Sequence, residues 1–446
     1  MATPAGYIVS ALALSLGMFS GVVSAKEFMP RLGITMEKHS NTTRTADTDN
    51  EISDTVQRPF FGFTFKEDTT DLKAKADVLF VHESYSKNTF DAQFLPTIDA
   101  TLDWTIQPNR LSWVIEDYAY SQRIDVIAAD TPDNQQTFNV FATGPDFVFA
   151  RGLYDGLAKF RLADVYYSES EEDNQRLIAT GVLTRAINEY STGGVEASLS
   201  SVLFEEDYLV DYDIIGLVAR YNREMPFGIL DARLGLNYVN DENGASDSTP
   251  MVAMKVTSNK DSLHSWALTY STRYTDPAMD AYDPFYSRLL DVSETREIQP
   301  GQIVGVGAYK TDRGEVSYGY NGSRLGITLS AFTGKNDYLL NSAENGNEKG
   351  GGVGLSYLIS ERMTLWADYY QSRTEYPNKG DKFAKTKSPS FGIAYAITES
   401  LSVVGGAYIS DNDSDITDPK TGKLTQQYKD EVLYMTVEYK GQSKRN

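Results

Sequence analysis

A short row of side chains that could bind a sugar lies in the C-terminal third of the chain. Trp366, Asp368 and Tyr370 occupy alternate positions, so in a β-strand all three point to the same side. Aromatic rings can stack on the face of a sugar, and carboxylates accept hydrogen bonds from its hydroxyl groups. The row predicts a glycan-binding strip; the alternative is that these side chains only line a polar wall and fill space.

Six further polar side chains fall on the same kind of alternating position and are candidates for the inside of a barrel: Asp99, Asp103, Glu116, Tyr118, Asp231 and Arg233. A wall rich in carboxylates would repel an acidic polymer and so favours a neutral or amino sugar. Four cations could offset this effect: Lys73, Lys75, Arg233 and Arg324.

Catalytic and metal sites are not expected. The chain has three histidines, at positions 39, 82 and 264, and none lies close in sequence to a serine or aspartate in a catalytic spacing. We place His39 in a loop and the other two near strand ends. The acidic segment 411–415 resembles the start of a calcium loop, but the glycine at position six and the glutamate at position twelve are missing. We expect no cofactor.

The strand that explains these positions best is residues 97–106. Its odd-numbered residues are Thr and Asp, and its even-numbered residues are Ile, Ala, Leu, Trp and Ile. One face is therefore apolar and the other polar, and about ten residues are what a tilted strand needs to cross a bilayer. Trp104 lies where an interfacial aromatic residue would lie. A turn at Gln107-Pro108-Asn109 leads into a second strand of the same kind, so the two form a hairpin.

The same alternation recurs along the chain, from a weak first strand at residues 31–38 to a last strand at residues 433–439. Short turns alternate with longer loops, and the segments number about 18 to 20. The sequence therefore predicts an all-β fold, a single transmembrane antiparallel β-barrel. The longest irregular stretch is residues 275–302. Single-chain outer-membrane barrels have an even number of strands, so we assign residues 303–309 to this loop, folded inward.

Composition places the chain in an exported class. Residues 1–25 are apolar and end in small residues, which predicts a signal peptide and leaves residues 26–446 as one barrel domain. The chain has no cysteine, a mean hydropathy of −0.38 and a net charge of −21. This acidity argues against a nucleic-acid partner. The expected location is the outer membrane of a Gram-negative bacterium, with both termini periplasmic and with lipid bilayer and lipopolysaccharide as surroundings.

Several segments resemble a known family. They are Leu102-Asp103-Trp104, Pro108-Asn109-Arg110-Leu111, Trp113, Glu116-Asp117, Thr131-Pro132-Asp133-Asn134, Gln136, Asn139, Gly144-Pro145, Tyr282-Asp283-Pro284-Phe285 and the strand at residues 324–332. This pattern resembles the outer-membrane β-barrel porins that are encoded with exopolysaccharide and exosortase gene sets. The resemblance implies a role in exopolysaccharide secretion, with a periplasmic polysaccharide export protein as partner, and it brings no catalytic residues.

Three functions remain open on the sequence. The first is a conduit or assembly partner for exopolysaccharide secretion, driven from elsewhere because the chain has no nucleotide-binding motif. The second is a general or sugar-selective diffusion porin, which predicts a constricting inward loop and a steady ion conductance. The third is a structural or adhesive barrel with a closed lumen and acidic surface loops.

Overall fold

The barrel is closed by its first and last strands. The computed structural model describes residues 27–441 except 47, 126–127, 245, 259–262, 277, 280–306, 340–341, 343–344, 381, 418–423 and 425–426. These residues form one 20-stranded sheet in which each strand is antiparallel to the next. The last strand pairs with the first from Arg31↔Lys440 to His39↔Val432. The predicted fold class is confirmed. The predicted signal peptide lies outside the described residues.

The twenty strands run as follows: β1 Glu27–His39, β2 Asp54–Asp68, β3 Leu72–Tyr85, β4 Gln93–Gln107, β5 Leu111–Arg123, β6 Gln135–Arg151, β7 Tyr154–Tyr167, β8 Asn174–Asn188, β9 Ser191–Phe204, β10 Tyr212–Met225, β11 Gly228–Asp241, β12 Ser246–Ser258, β13 His264–Thr275, β14 Tyr309–Asn321, β15 Leu325–Tyr338, β16 Gly346–Ser360, β17 Met363–Tyr376, β18 Lys382–Ala396, β19 Leu401–Ser414 and β20 Tyr428–Lys440. Among the described residues, no helix is long and apolar enough to cross a membrane.

Most strands have one apolar and one polar face, as the alternation predicts. The apolar face is turned outward, because its large side chains are exposed: Leu217 is 63% exposed, Leu234 65% and Leu433 63%. The other face carries most of the arginine–carboxylate pairs and surrounds the lumen. A lipid-facing band and a polar interior follow from this division.

Short turns lie at the end of the barrel where β1 begins and β20 ends. The predicted turn after β4 is one of them: the Arg110 N–H donates to the Gln107 carbonyl at 3.0 Å. Asn109 has a φ of 59° there, a left-handed conformation that asparagine tolerates better than most residues. The longer connections, including those that follow β1, β5 and β13, begin at the opposite end.

Two strands fall between the segments that the alternation identified. On β12 the outward positions include Ser248 and Pro250, and on β14 they include Lys310, Asp312 and Gly314, so neither strand shows a continuous apolar face. Their main-chain pairing with neighbours fixes them instead. The strands are also longer than predicted at the loop end, so residues 54–57 belong to β2 rather than to a loop.

Both described ends of the long segment between β13 and β14 lie against the inner wall. Asp276 and Ala278 are 0% and 2% exposed, and Ala308, just before β14, is 2% exposed. Residues 303–306 lie outside the described residues, and β14 begins only at Tyr309. Of the residues 303–309 that the sequence assigns to the loop, Gly307 and Ala308 lie outside any strand and Tyr309 belongs to β14, so the assignment is wrong at Tyr309.

Candidate functional site

One side of the lumen is built from aromatic rings that lie over glycines. Phe332 on β15 stacks with Tyr370 on β17, with ring centroids 6.3 Å apart and planes at 16°. A Cβ placed at Gly350 on the intervening strand would come within 2.8 Å of the Phe332 ring. The ring therefore lies close against the wall because the strand beneath it has no side chain at that position.

The same arrangement continues across the next strands. A Cβ at Gly392 on β18 would lie 2.6 Å from Trp366 Cζ2, and one at Gly406 on β19 would lie 2.9 Å from the Tyr434 hydroxyl. Tyr434 in turn lies beside Tyr408, with centroids 6.2 Å apart. From β15 to β20 the inward face thus carries half-buried aromatic side chains seated on glycines, and we call this surface the aromatic wall.

Trp366, Asp368 and Tyr370 all lie on this wall. Their register partners on β16 are Ser356, Gly354 and Gly352, so the row faces a strip of very small residues. The Asp368 carboxylate lies over Gly354, where a Cβ would be 2.5 Å from Oδ1. The predicted row therefore combines a carboxylate with two aromatic rings on one strand, the composition that suits a sugar.

The four predicted residues of β4 and β5 form a separate group. Asp99 is opposite Tyr118 and Asp103 is opposite Val114, which places the group on one inward patch with Glu116. Asp99 lies 3.3 Å from Lys75 Nζ, and Glu116 lies 2.9 Å from Arg161 Nε. Arg161 is 2% exposed and also binds Asp146, so Glu116 belongs to an ion-pair network within the wall.

Asp231 and Arg233 form a third group on β11. Arg233 lies 3.6 Å from Glu196 on β9 and 4.0 Å from Asp231. Since β11 is six strands from β17 in the ring, this group is remote from the aromatic wall. The nine predicted residues thus lie on three patches of the inner wall, and the row on β17 belongs to the aromatic wall.

A cluster that the sequence did not suggest connects the two ends of the chain. His39 is the last residue of β1 rather than a loop residue, and its ring nitrogens lie 2.6 Å from Asp430 and 3.0 Å from Glu37. Arg58 lies 2.5 Å from both Glu37 and Glu83. All these partners are inward, and they come from four strands, β1, β2, β3 and β20, so the closure of the barrel brings them together.

The acidity of the chain is concentrated in loops more than on the inner wall. Residues 168–173 and 205–211 carry eight carboxylates and no lysine or arginine. Burial raises the pKa of Asp173 to about 6; its hydrogen bond from the Tyr167 N–H acts against this, and the neighbouring carboxylates of Glu205 and Asp164 add to it. On the inner wall, by contrast, Glu37, Glu116 and Glu196 pair with arginines, so these carboxylates do not present simple acidity.

An ion pair anchors the long loop inside the barrel. Arg176 on β8 points into the lumen, and its Nη1 lies 2.6 Å from Asp276 Oδ1, with side-chain exposures of 3% and 0%. Asn174 accepts a hydrogen bond from Arg176 Nε at 2.7 Å. The Asp276 carboxylate also accepts the backbone N–H groups of Ala278 and Met279, each at 3.0 Å. We call this set of contacts the loop anchor.

Apolar contacts extend the loop anchor along the wall. Ala278 packs against an inward cluster that includes Phe138 and Val165, and Met279 packs against Ala142 and Ile178. At the other end of the loop, Ala308 belongs to an inward cluster of Val202, Tyr212, Ile214, Val239 and Tyr274. Both described ends of the loop are therefore docked on the wall formed by β6 to β11.

Comparison with known proteins agrees with the fold. No protein-family model and no curated protein matches the sequence. Among solved structures, the FrpB iron transporter from Neisseria meningitidis (F3-3 variant) is similar, with a TM-score of 0.50, 11% identity and coverage of 95% of this chain and 82% of that one. The F5-1 variant of FrpB, in its apoprotein form, has a TM-score of 0.50 and 12% identity, with coverage of 92% of this chain and 81% of that one. At such identities the likeness shows a shared large β-barrel fold and nothing about a substrate.

Proposed function

We propose that this barrel is an outer-membrane channel for carbohydrate. The observation that carries the proposal is the aromatic wall: rings from four strands lie along the lumen side of β15 to β20, over glycines and beside Asp368. Flat rings on a smooth wall can stack on successive sugar units without holding any of them tightly, because each contact is weak and repeated. The outward apolar band supports a location in a bilayer.

The substrate class we favour is a secreted exopolysaccharide. The resemblance of residues 99–145 to porins encoded with exopolysaccharide gene sets supports this choice. The chain would then act as a passive conduit or assembly partner, receiving polymer from a periplasmic polysaccharide export protein. The short turns and both termini would face that partner in the periplasm.

A sugar-selective diffusion porin is the second candidate, and the loop anchor favours it. Asp276, Ala278 and Met279 dock on the inner wall through a buried ion pair, and chain held there would narrow a passage. Such a constriction suits small solutes better than a polymer. The two candidates share the aromatic wall and differ in what crosses it.

A deletion in the native host tests the first candidate. Secreted and periplasmic polysaccharide are measured in the deletion strain and after complementation. We expect the deletion to reduce secreted polymer, wild type to restore it, and Trp366→Ala/Tyr370→Ala to fail. The matched control is Trp104→Ala/Tyr369→Ala, which removes the same two residue types from the outward face. Normal secretion without the chain would refute a role in export.

Conductance in planar bilayers separates the remaining candidates. A sugar-selective porin should show a steady conductance that maltodextrins block. Maltodextrins should block the Trp366→Ala/Tyr370→Ala variant less than wild type. The absence of conductance, with normal secretion in the deletion strain, would leave the structural or adhesive barrel as the function.

A further inference from the structure

Three cations stand directly opposite one another on the outward face of β16, β17 and β18. Lys349 is the register partner of Arg373, and Arg373 is the partner of Lys385. Like charges in directly opposite positions destabilise a sheet, so complementary charges are the usual choice there. We call these three residues the basic row.

The basic row lies immediately beyond the apolar band. Counting from the short turn, Arg373 is the sixth outward position of β17, after Met363, Leu365, Ala367, Tyr369 and Gln371. About ten residues of a tilted strand cross the bilayer core, so Arg373 lies at the level of the lipid headgroups on the loop side. Lys349 and Lys385 share that level through their register with it.

The charges of the row are only partly compensated. Glu375 lies 3.4 Å from Lys349 Nζ and 2.9 Å from Arg373 Nε. Asp413 on β19 is the register partner of Lys385, so two carboxylates face three cations. The Arg373 guanidinium is held 4.5 Å from the centroid of the Phe383 ring, which orients it along the wall. Side-chain exposures of 64% for Lys349 and 41% for Arg373 leave both cations accessible to a ligand.

The opposite side of the barrel differs at this level. Outward positions near the loop ends of β7, β8 and β10 carry Asp164, Gln175 and Asp213. In a chain with a net charge of −21, a row of cations at one place on the headgroup belt is a local reversal of sign. It marks where an anion in the membrane surface would be attracted rather than repelled.

We propose that the basic row binds the phosphate groups of an anionic lipid of the outer leaflet, of the lipopolysaccharide class. Lysine and arginine both bind phosphate, and the arginine can do so with two parallel hydrogen bonds. A bound phosphate would also remove the repulsion between the three cations. The proposal depends on the membrane location and not on what passes through the lumen.

The test uses the full barrel purified in a non-ionic detergent. The probes are bisphosphorylated lipid A, the same lipid A with both phosphates removed, and inorganic phosphate, and binding is measured by titration with native mass spectrometry. The variant is Lys349→Gln/Arg373→Gln/Lys385→Gln. The matched control is Arg151→Gln/Arg185→Gln/Arg223→Gln, three outward cations near the short-turn end.

We expect the variant to bind bisphosphorylated lipid A on the order of 100-fold more weakly than wild type, at roughly a factor of five for each lost cation, and the control to bind normally. Should the triple variant fail to fold, Lys349→Gln alone is expected to weaken binding about fivefold. Equal binding of dephosphorylated lipid A, or equal binding by the variant, would overturn the proposal. Competition by inorganic phosphate at concentrations similar to the lipid would also overturn it, because the site would then take free phosphate.

Discussion

Removing Arg176 should release the long loop from the inner wall. In Arg176→Met the Asp276 carboxylate keeps its two backbone N–H donors but loses the guanidinium at 2.6 Å, while remaining 0% exposed. Breaking a buried ion pair by removing one partner costs about 3 to 5 kcal/mol, because the remaining charge is left without compensation. The ratio of docked to undocked loop should therefore fall about 140- to 4,000-fold.

The double variant Arg176→Met/Asp276→Asn separates the ion pair from the packing around it. It removes both charges, and the amide oxygen can still accept the N–H groups of Ala278 and Met279. Replacing both members of a buried pair is often nearly neutral. We expect its docked loop to lie within about tenfold of wild type, which makes the charge imbalance, rather than the side-chain shape, the cause of release.

Two measurements report whether the described start of the loop is docked on the inner wall. The chain has no cysteine, so an Ala142→Cys/Met279→Cys pair gives an unambiguous cross-link with a short bis-maleimide, since these two residues pack in one cluster. Single-channel recording gives the conductance of the same proteins. Arg176→Met should lower the cross-linking yield and raise the conductance, with added opening and closing noise. If the single variant cross-links and conducts as wild type does, or if the double variant is worse than the single one, the loop anchor does not hold the loop.

Three further outcomes follow from contacts elsewhere in the barrel. Gly392→Ala should push Trp366 off the wall, because the added Cβ lies 2.6 Å from its ring; the fluorescence of the protein should shift and maltodextrin block should weaken. Arg58→Met should remove the guanidinium that Glu37 and Glu83 share and lower the free energy of unfolding by about 3 kcal/mol, measured by guanidinium titration of the refolded barrel. The pKa of Asp173 is raised to about 6, so above pH 6 its buried negative charge lowers the stability of the folded state. Protonation removes this cost as the pH falls through 6. Asp173→Asn should therefore slow amide exchange at Tyr167 at pH 7.5 and have little effect at pH 4.5.

The fold was predictable because a strand that crosses a bilayer must show its two environments in its sequence. Residues 97–106 and 230–238 alternate between apolar and polar side chains without interruption. On β12 and β14 the alternation is interrupted, because Pro250, Lys310 and Asp312 occupy outward positions near the loop end. There the position of the strand depends on hydrogen bonds to its neighbours, which a hydrophobic pattern does not report.

The candidate site was predictable only where it is local. Trp366, Asp368 and Tyr370 lie on one strand, so their spacing alone places them on one face. Their setting depends on glycines of the flanking strands and on a ring from β15, and that information resides in the strand register. The loop anchor is even harder to predict. Arg176 and Asp276 are 100 residues apart, and the sequence alone does not indicate that they meet inside a barrel.

The loop anchor and the aromatic wall are separate devices. Arg176 is on β8 and Trp366 is on β17, nine strands apart in a closed ring of twenty, so the two lie on nearly opposite sides of the lumen. Residues that far apart with no shared partner act independently. On the proposed function, we expect the anchor to set the width of the passage and the wall to determine which solutes are retained, so a change at one need not alter the other. The proposal then assigns the choice between a polymer and a small solute to the width of the passage rather than to its chemistry.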